Sequence, residues 1–474
     1  MRRRPLVLAL ALAFSPCALH AEDLLQTYSL ARNNDPQYAA AEAGQRVTAE
    51  GAVQARAQML PQVNGSATVT RSRSTSEAGQ PQYDPVTGLI VSGGSRTTDS
   101  TSRNGQVSAR QMVFDASVLS QHRAQLLQSR AGEYQVEAAG DDLITRTSRA
   151  YFNVLVAMET LAAAEAQESA LKQQFDFADK RLEVGMAPIT DMYEARAQYE
   201  SARANTIVQR NALEDAYQAL AEITGQPVRN LMALPDDFKP QLPPEGGADE
   251  WVQRAIDGNP ALAAQRTQRD AAEQSISTAR AGYLPSVYAN GSYGMQRSDS
   301  TTDALGRSTE SDSRSRGPSI GFTLSVPIFN GFATQSRVRQ AIAQRDVADE
   351  QLEQQKRALE RNTRNAYQSL VAGISGVEAR RLALVSAQSA YDASQVGLEV
   401  GTRTVLDVLL NRQSLFNAQQ AYAQAKYNYL QYRLQLEQAA GTLDVTDVQD
   451  INRLLTAPAG TAPRIGTPSD TRRR

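Results

Sequence analysis

The feature that most constrains the fold is an internal repeat with a spacing of 216 residues. Leu-Glu-Val-Gly at 182–185 recurs at 398–401, and the aspartate that follows each copy is Asp191 in the first and Asp407 in the second. Self-similarity over so long a period indicates two copies of one supersecondary unit. The chain is therefore predicted to build its fold twice.

The boundaries of the two copies follow from composition. The first repeat is predicted over 22–225 and the second over 251–441. Residues 226–250 are rich in proline, glycine and acidic residues, which is typical of a surface linker. The segment 442–474 follows the second repeat, and its end from Thr456 onward is predicted to be disordered.

The first 21 residues have the pattern of a secretory signal peptide. The basic Arg2–Arg4 precedes the apolar run Leu6–Phe14, and small residues lead to a predicted cleavage site after Ala21. The only cysteine, Cys17, lies inside this segment and follows Pro16, where a lipoprotein signal would need a small residue. The mature chain is thus predicted to have neither a lipid anchor nor a disulfide.

Each repeat is predicted to contain a very long helix without an internal proline. At 1.5 Å per residue these helices would extend roughly 100 Å, the return helices roughly 50 Å and the opening helices, which begin at prolines, roughly 36 Å. Two shorter helices placed end to end would match one long helix. The predicted helices are those that open at Pro36 and Pro260, the long ones at 117–184 and 334–400, and the return ones at 190–224 and 406–440.

Alternating apolar residues indicate two strands in each repeat. The strands are predicted at about 62–71, 105–114, 286–297 and 318–329. The polar stretches 72–104 and 298–316 are predicted to be long loops exposed to solvent. The strongest alternation, which predicts the lipid-facing side of the last strand, runs through Ile320, Phe322, Leu324, Val326 and Ile328.

The last helix has two apolar seams with heptad spacing. A helix with two seams needs neighbours on both sides, either in an ordinary antiparallel bundle or in a closed tube. The main seam comprises Leu415, Ala418, Tyr422, Ala425, Tyr429, Tyr432, Leu436 and Ala439. The second seam comprises Phe416, Ala423, Tyr427, Leu430 and Leu434.

The strands decide between these alternatives. After the signal peptide no apolar run reaches the 18 to 20 residues of a membrane-spanning helix, so a membrane crossing must use strands. Closed membrane barrels need at least eight strands, and one chain supplies four. Two copies would supply eight and three copies twelve, and composition does not choose between them.

Catalysis, cofactors, metals and nucleic acids find no support in the residues. The mature chain has one histidine, His122, and no cysteine, and it has no glycine-rich phosphate loop. Without Arg2–Arg4 it carries 46 basic and 51 acidic residues, a net charge of about −5. The chain is predicted not to be an enzyme. A membrane duct and a periplasmic coiled-coil adaptor that bridges a pump to another duct both remain open on these grounds.

Two motifs resemble the TolC family of outer-membrane efflux proteins. They are Val-Gly-Thr-Arg-Thr-Val-Leu-Asp at 400–407 and Tyr-Asn-Tyr-Leu at 427–430, and the resemblance covers the whole mature chain. It implies a mixed α and β membrane protein, a homotrimer with a twelve-stranded barrel in the outer membrane of a Gram-negative bacterium. A coiled-coil tunnel of twelve helices would continue it into the periplasm, surrounded by an equatorial belt formed by the linker and the C-terminal segment.

The resemblance also implies a transport role. Members of this family are the outer membrane factors of tripartite efflux and type I secretion systems, and they confer multidrug resistance. A periplasmic adaptor protein and an inner-membrane pump of the RND, ABC or MFS class dock on the tunnel. Drugs, toxic compounds and, in some systems, proteins then leave the cell through a channel that is gated at its periplasmic end.

The gate implied by the resemblance lies at the two helical hairpins. Gly185 and Gly401 supply the left-handed backbone that a tight reversal between helices favours. By resemblance Arg403 is the arginine that tethers the inner hairpin to the outer one. Asp191 is the carboxylate that receives this tether, and Thr190 beside it belongs to the same contact.

Asp407 is by resemblance the acid that forms a ring at the constriction. The family's second acidic position, three residues later, is Leu410 here, so the ring would carry three carboxylates rather than six. The family's tethering tyrosine is replaced by Leu398, which predicts a weaker tether. An alternative interpretation takes Asp191 and Asp407 simply as first-turn acids that the helix dipole favours.

Overall fold

The fold is known from a computed structural model, which describes residues 23–77, 82–91, 95–235, 238–241, 246–304 and 307–459. The predicted signal peptide and residues 460–474 of the predicted tail lie outside these residues. The described helices are α1 (Leu24–Asn34), α2 (Pro36–Ala57), α3 (Ala116–Glu183), α4 (Ile189–Thr224), α5 (Ala248–Gly258), α6 (Pro260–Ala281), α7 (Ala333–Glu399), α8 (Val405–Ala440) and α9 (Val445–Leu454). The described strands are β1 (Gln62–Glu77), β2 (Gln82–Tyr83), β3 (Ile90–Val91), β4 (Ser95–Phe114), β5 (Met232–Ala233), β6 (Ser286–Ala304), β7 (Arg307–Ser325) and β8 (Ala457–Pro458).

The long and return helices lie within about a residue of their predicted positions. The long helices α3 and α7 have 68 and 67 residues, and the return helices α4 and α8 have 36 each. Pro36 and Pro260 occupy the first turn of α2 and α6, where a missing N–H costs no helical hydrogen bond. The residue before each proline, Asp35 or Asn259, accepts a hydrogen bond from the new helix and separates it from the short helix that precedes it.

The four long strands form one antiparallel sheet in the order β1-β4-β6-β7. They have 16, 20, 19 and 19 residues, about twice the predicted length. The predicted loops at 72–104 and 298–316 were therefore wrong over most of their length. Hairpin strands pair through backbone groups, which do not require apolar side chains. Cross-strand polar pairs such as Ser72 with Ser100 and Arg73 with Asp99 accompany this extension.

The end of β7 corrects the predicted lipid-facing stripe. Ile320, Phe322 and Leu324 lie in the strand, but Val326 and Ile328 come after its last residue, Ser325. Pro327 lacks the N–H that continued pairing needs, which accounts for this end point. Both displaced side chains remain exposed.

The segment between the repeats is packed, contrary to the prediction of a surface linker. Val228, Leu231, Leu234 and Phe238 are buried in the hydrophobic core. The strand β5 pairs antiparallel with β8, so the first residues of the predicted tail are ordered as well. Apolar residues spaced between the prolines thus outweigh the linker-like composition.

The chain divides into two compact units by its internal contacts. One unit comprises Met1–Ala43, Tyr134–Ala263 and Gln354–Arg474, and its described part contains α1, α4, α5, α8, α9 and the later portions of α3 and α7. Tyr151 lies fully buried at its centre. The Tyr151 hydroxyl donates to the carbonyl of Met232 at 2.9 Å and accepts from the Met232 amide at 2.8 Å, which anchors β5 to α3.

The other unit comprises Gly44–Glu133 and Ala264–Glu353 and contains the sheet. Within it α2 packs on the first turns of α3, where a Cβ on Gly132 would lie 2.5 Å from the Thr48 hydroxyl. The second pair, α6 and α7, is joined by an ion pair between Arg269 and Asp349 at 2.7 Å. Each helix that enters a strand pair therefore packs against the helix that leaves it.

In the first unit the helices lie side by side in the order α4, α3, α8, α7. Arg210 of α4 pairs with Glu165 of α3 at 2.9 Å. Farther along α3, Gln167 hydrogen-bonds Gln413 of α8 at 2.8 Å. On its other side α8 packs against α7, where a Cβ on Gly373 would lie 3.1 Å from the ring of Tyr432. Both seams of α8 are thus covered within one chain. The two seams alone do not require a second copy, and the edge helices are α4 and α7.

Among the described residues, the helices contain no stretch that is both long and apolar enough to cross a membrane.

Candidate gate at the helical hairpins

The turn between α7 and α8 is closed by the carbonyl of Gly397. This oxygen accepts hydrogen bonds from the amides of Thr402 and Arg403, at 2.8 and 3.1 Å, and from the Thr402 hydroxyl at 3.1 Å. Gly401 has φ +77°, a left-handed conformation that glycine adopts without steric cost. The predicted role of Gly401 as a turn residue thus agrees with its geometry.

Arg403 lies directly against Gly397. A Cβ at position 397 would be only 2.6 Å from the Arg403 Cγ, so a larger residue there would displace the arginine. Sequence reasoning missed Gly397, although an isolated glycine inside a helical pattern is a recognised sign of close packing. The position of Arg403 is therefore set by the end of α7 as well as by its own turn.

Asp407 and Thr404 form a capping box at the start of α8. The Asp407 Oδ2 atom accepts from the Thr404 amide at 2.9 Å and from the Thr404 hydroxyl at 2.8 Å, and the Asp407 amide donates to that hydroxyl at 3.2 Å. The backbone and side-chain hydrogen bonds from Thr404, followed by the charge of Arg403, hold the pKa of the Asp407 carboxyl below its usual value. The Thr-x-x-Asp spacing could have predicted this cap from sequence.

The turn between α3 and α4 is built differently. Gly185 has φ +72°, and the Met186 amide donates to the carbonyl of Arg181 at 2.8 Å. The cap position of α4 is Pro188, which makes no side-chain capping bond. Asp191 lies exposed in the first turn, and its carboxylate accepts a 3.3 Å hydrogen bond from Thr190.

The two acids therefore differ in what they can bind. The alternative interpretation, a first-turn acid, describes Asp407 well because its Oδ2 is engaged in capping. Asp191 caps no backbone group in the described structure and keeps both oxygens accessible to a cation. Along the described chain no ion pair joins Arg403 to Asp191, so the predicted tether does not form within one copy.

The start of α8 contacts different neighbours on its different faces. Leu409 packs with Leu171 of α3 and Ala202 of α4, whereas Val408 is buried in the core that α7 shares. Asp407 and Leu410, three residues apart, lie on the remaining face, where Asp407 is half-buried and Leu410 is exposed. Leu398, which replaces the expected tyrosine, packs partly buried against the core and has no polar group to offer.

A further contact in this region was not anticipated. The Arg412 Nη1 atom donates to the Tyr391 hydroxyl at 2.9 Å, and Gln395 Nε2 donates to the same oxygen at 2.6 Å. The Arg412 Nη2 atom also approaches the carbonyl of Ala166 at 3.4 Å. Burial lowers the pKa of Arg412, and no carboxylate forms an ion pair with it among the described residues. This arginine joins α8 to both neighbouring helices.

The sheet separates apolar and polar side chains onto its two faces. Phe322 lies opposite Ala289 and Leu324 opposite Val287, so these residues share one face with the exposed Ile320. The other face of the sheet contains mainly serine, threonine, asparagine and glutamine between 64 and 106 and between 290 and 323. This segregation is the one expected for strands with lipid on one side and water on the other.

Comparison with known proteins gives the class. The chain belongs to the outer membrane efflux protein family, whose profile matches residues 27–226 and 251–442. It is 33% identical to the outer membrane protein TolC of Escherichia coli (strain K12), over 97% of this chain and 90% of the relative. It is 28% identical to the alkaline protease secretion protein AprF of Pseudomonas aeruginosa, over 90% of this chain and 86% of the relative.

Solved structures agree in fold. The outer membrane channel CmeC of Campylobacter jejuni superposes with a TM-score of 0.74 at 18% identity, covering 92% of this chain and 90% of that one. The resemblance predicted from the two motifs is thus confirmed. This protein is an outer-membrane efflux channel of the Gram-negative type that extends into the periplasm, and the periplasmic adaptor alternative is set aside.

Proposed function

We propose that three copies of the chain close a twelve-stranded barrel in the outer membrane and continue it as a coiled-coil tunnel in the periplasm. The observation that carries this proposal is the four-stranded sheet, which has an apolar face and whose outer strands are β1 and β7. Lipid offers no hydrogen-bond partners to such edges. They must therefore pair with the sheets of other copies, and three copies supply the number of strands implied by the family.

The edge helices support the same assembly. Ile207 and Val208 of α4 and Leu382, Val385 and Val396 of α7 are large apolar side chains with about half of their surface exposed. In a ring with the helix order α4, α3, α8, α7, the α7 of one copy meets the α4 of the next. This contact would bury these side chains and make the two repeats equivalent parts of one wall, with the segments 226–250 and 442–459 forming the belt.

The assembly is tested with the detergent-purified protein. Native mass spectrometry should give three times the mass of the mature chain, and gel electrophoresis should show an oligomer that dissociates only on heating. Ile207→Asp together with Val385→Asp should weaken the oligomer, whereas Ile320→Asp should impair membrane insertion instead. A monomer that is fully soluble without detergent would contradict both the barrel and the channel.

The gate follows from the hairpin geometry. Among the described residues Arg403 makes no ion pair within its own chain, and the carboxylate of Asp191 makes no capping bond there. The helix order would bring the inner hairpin of one copy beside α4 of the next. We infer that Arg403 binds Asp191 and Thr190 of a neighbouring copy, and that the turns at Gly185 and Gly401 let the inner hairpins swing when a partner docks.

The constriction is assigned to Asp407. Its Oδ2 atom caps α8, which leaves Oδ1 to face the lumen, and three copies would present a ring of three carboxylates. Such a ring favours cations.

The tether is tested by substitution of Arg403. In planar bilayers Arg403→Ala should raise the single-channel conductance. The conductance of the conservative variant Arg403→Lys should lie between those of the wild type and Arg403→Ala. Equal conductance in all three proteins would contradict the tether.

The transport role includes a periplasmic adaptor protein and an inner-membrane pump of the RND, ABC or MFS class. We infer that the channel moves drugs and toxic small molecules and catalyses no reaction itself. Proteins are the second class of cargo, as the name of the Pseudomonas relative suggests. Deletion of the gene, followed by measurement of drug sensitivity and of the secreted proteins, separates the two kinds of cargo.

A further inference from the structure

The apolar face of the sheet ends in a row of arginines. Cross-strand pairing places Arg103, Arg297 and Arg314 directly opposite one another on β4, β6 and β7. All three lie on the face of Phe322 and Leu324, because they are separated from those rows by an even number of residues. The face therefore changes from apolar to cationic within one row of side chains.

Two more arginines flank this row on the same face. Arg316 lies opposite Met295, one row nearer the apolar residues. Arg71 lies one row farther from them, in the row that also contains Asp299 and Asp312. The three rows together contain five arginines and two aspartates. About 14 Å of strand separates the first row from the third, within reach of one lipid headgroup and its neighbours.

The carboxylates do not neutralise all of this charge. Asp299 pairs with Arg103 and with Arg297, and Asp312 pairs with Arg314 at 3.0 Å. Within the described chain Arg71 and Arg316 form no ion pair, and both side chains are exposed. Two guanidinium groups at the border of the apolar face thus have no carboxylate on them.

The opposite face does not repeat this arrangement. At the same level it presents Thr68, Asn104, Gln296 and Ser315. A cationic border on the lipid side alone is difficult to attribute to solubility or to conduction, because neither depends on the face that contacts lipid.

We propose that the arginine cluster, defined as Arg71, Arg103, Arg297, Arg314 and Arg316, binds the phosphate groups of a phosphorylated lipid in the outer leaflet. The cluster lies toward the hairpin ends of the strands, and the other ends continue into helices. Since the helices are periplasmic in the proposed assembly, the cluster lies at the outer surface. Guanidinium groups bind phosphate through paired N–H donors, while the acyl chains of the same molecule cover Phe322 and Ile320.

Only a molecule with both an anionic headgroup and acyl chains matches this surface. A soluble anion would leave the adjoining apolar face uncovered, and a protein partner would have to displace lipid from it. The bound molecule is therefore an amphiphile with anionic headgroups. This inference rests on the proposed barrel, so the first measurement is the heat-sensitive oligomer, and lipid binding is tested only on variants that form it.

The experiment compares two lipids that differ only in their phosphate groups. Purified protein in neutral detergent is titrated with diphosphorylated lipid A and with the same lipid after enzymatic dephosphorylation, and bound lipid is counted by native mass spectrometry. The variant Arg71→Gln with Arg316→Gln removes the two unpaired charges. Arg96→Gln is the control, since Arg96 is seven residues from Arg103 on β4 and lies on the other face.

We expect the wild-type protein to prefer the phosphorylated lipid, and each arginine removed should weaken that binding about fivefold. Arg96→Gln should bind like the wild type, and inorganic phosphate at the same phosphate concentration should not displace the lipid. Equal binding of the two lipids by an intact oligomer would overturn the proposal while leaving the channel in place. Displacement by inorganic phosphate, or an equal loss in Arg96→Gln, would overturn it as well.

Discussion

Arg412 of α8 donates a 2.9 Å hydrogen bond to the hydroxyl of Tyr391 of α7, and this contact joins the two helices of the inner hairpin without a carboxylate. Arg412 is half-buried, and this hydroxyl and the carbonyl of Ala166 accept hydrogen bonds from its guanidinium. When the hairpin opens, α7 and α8 must either break this contact or move together. Tyr391 and Arg412 are therefore positioning residues for the proposed gate.

Tyr391→Phe tests this role. The substitution leaves the half-buried guanidinium of Arg412 without its shortest hydrogen bond, which should destabilise the folded protein by about 1 kcal/mol and increase the channel current. Thermal unfolding and planar-bilayer recording measure the two effects. Tyr193→Phe on α4 is the control, because the side chain of Tyr193 is 56% exposed. If both variants behave like the wild type, the contact has no part in closure.

The helix cap that Asp407 forms and its proposed role at the constriction can be separated by two substitutions. In Asp407→Asn an amide oxygen can still accept from Thr404, but the charge is lost, whereas Asp407→Ala removes both. We expect block of the current by multivalent cations to weaken at least severalfold in both variants. Amide hydrogen exchange at residues 404–408 should accelerate clearly only in the alanine variant. Persistence of the block in Asp407→Asn would locate the cation site elsewhere.

Gly397→Ala should alter the gate without weakening the helix. The new Cβ would meet the Arg403 Cγ at 2.6 Å, so the arginine must move away from α7. Conductance should rise toward that of Arg403→Ala, as measured in planar bilayers. Gly376→Ala is a matched control on α7, since a Cβ there meets no atom within 4 Å. It should leave conductance unchanged and stabilise the helix by about 1 kcal/mol.

The stability of the protein should depend on pH through Asp141. Burial, and secondarily the charge of Glu137, raises the pKa of Asp141 to about 7. The folded state then holds a proton that the unfolded state has already released, so this group costs stability as the pH rises from about 4 to 7. Asp141→Asn should raise the unfolding free energy at pH 8 by about 1 kcal/mol, after allowance for solvent screening, and should change little at pH 4.

Thermal or denaturant unfolding at the two pH values measures this difference. Asp176→Asn, an exposed acid on the same helix, provides the comparison. An equal gain at both pH values in Asp141→Asn would assign the effect to packing, and no gain at pH 8 would contradict the raised pKa.

Much of the architecture was predictable because it depends on local rules. The long helices follow from stretches without proline. The ends of the return helices follow from Gly225 and Gly441, and the starts of α2 and α6 follow from their prolines. The short helices α1, α5 and α9 were missed. Their amphipathic patterns are brief, and they are ordered by contacts far along the chain, such as the one between Leu24 and Asn452.

The polar halves of the strands were missed for a different reason. Alternation of apolar residues marks only the part of a strand that faces lipid, whereas the ladder from Ser72 with Ser100 to Glu77 with Ser95 depends on backbone pairing. The packed linker was missed because its core residues are few and widely spaced. Neither feature has a local signal strong enough to outweigh composition.

For the gate, sequence located the turns and the family resemblance supplied the roles. Gly185, Gly401, Asp191 and Asp407 all lie at the hairpins as predicted from the repeat. Which acid caps its helix, and which remains free, depends on the neighbouring cap residue: Thr404 on α8 and Pro188 on α4. That difference is visible in the sequence only after the helix start is known.

The sequence by itself determined the doubled plan, the long helices and the presence of strands with one apolar face, since periodicity and proline placement act over short distances. Only the tertiary structure decided that α8 lies between α3 and α7, that Arg403 lies on Gly397, and that arginines of three strands form one row. The helix order and the arginine row join residues far apart in the chain, and the contact of Arg403 with Gly397 joins the end of α7 to the turn that follows it. They arise from packing and strand register, which no local pattern encodes.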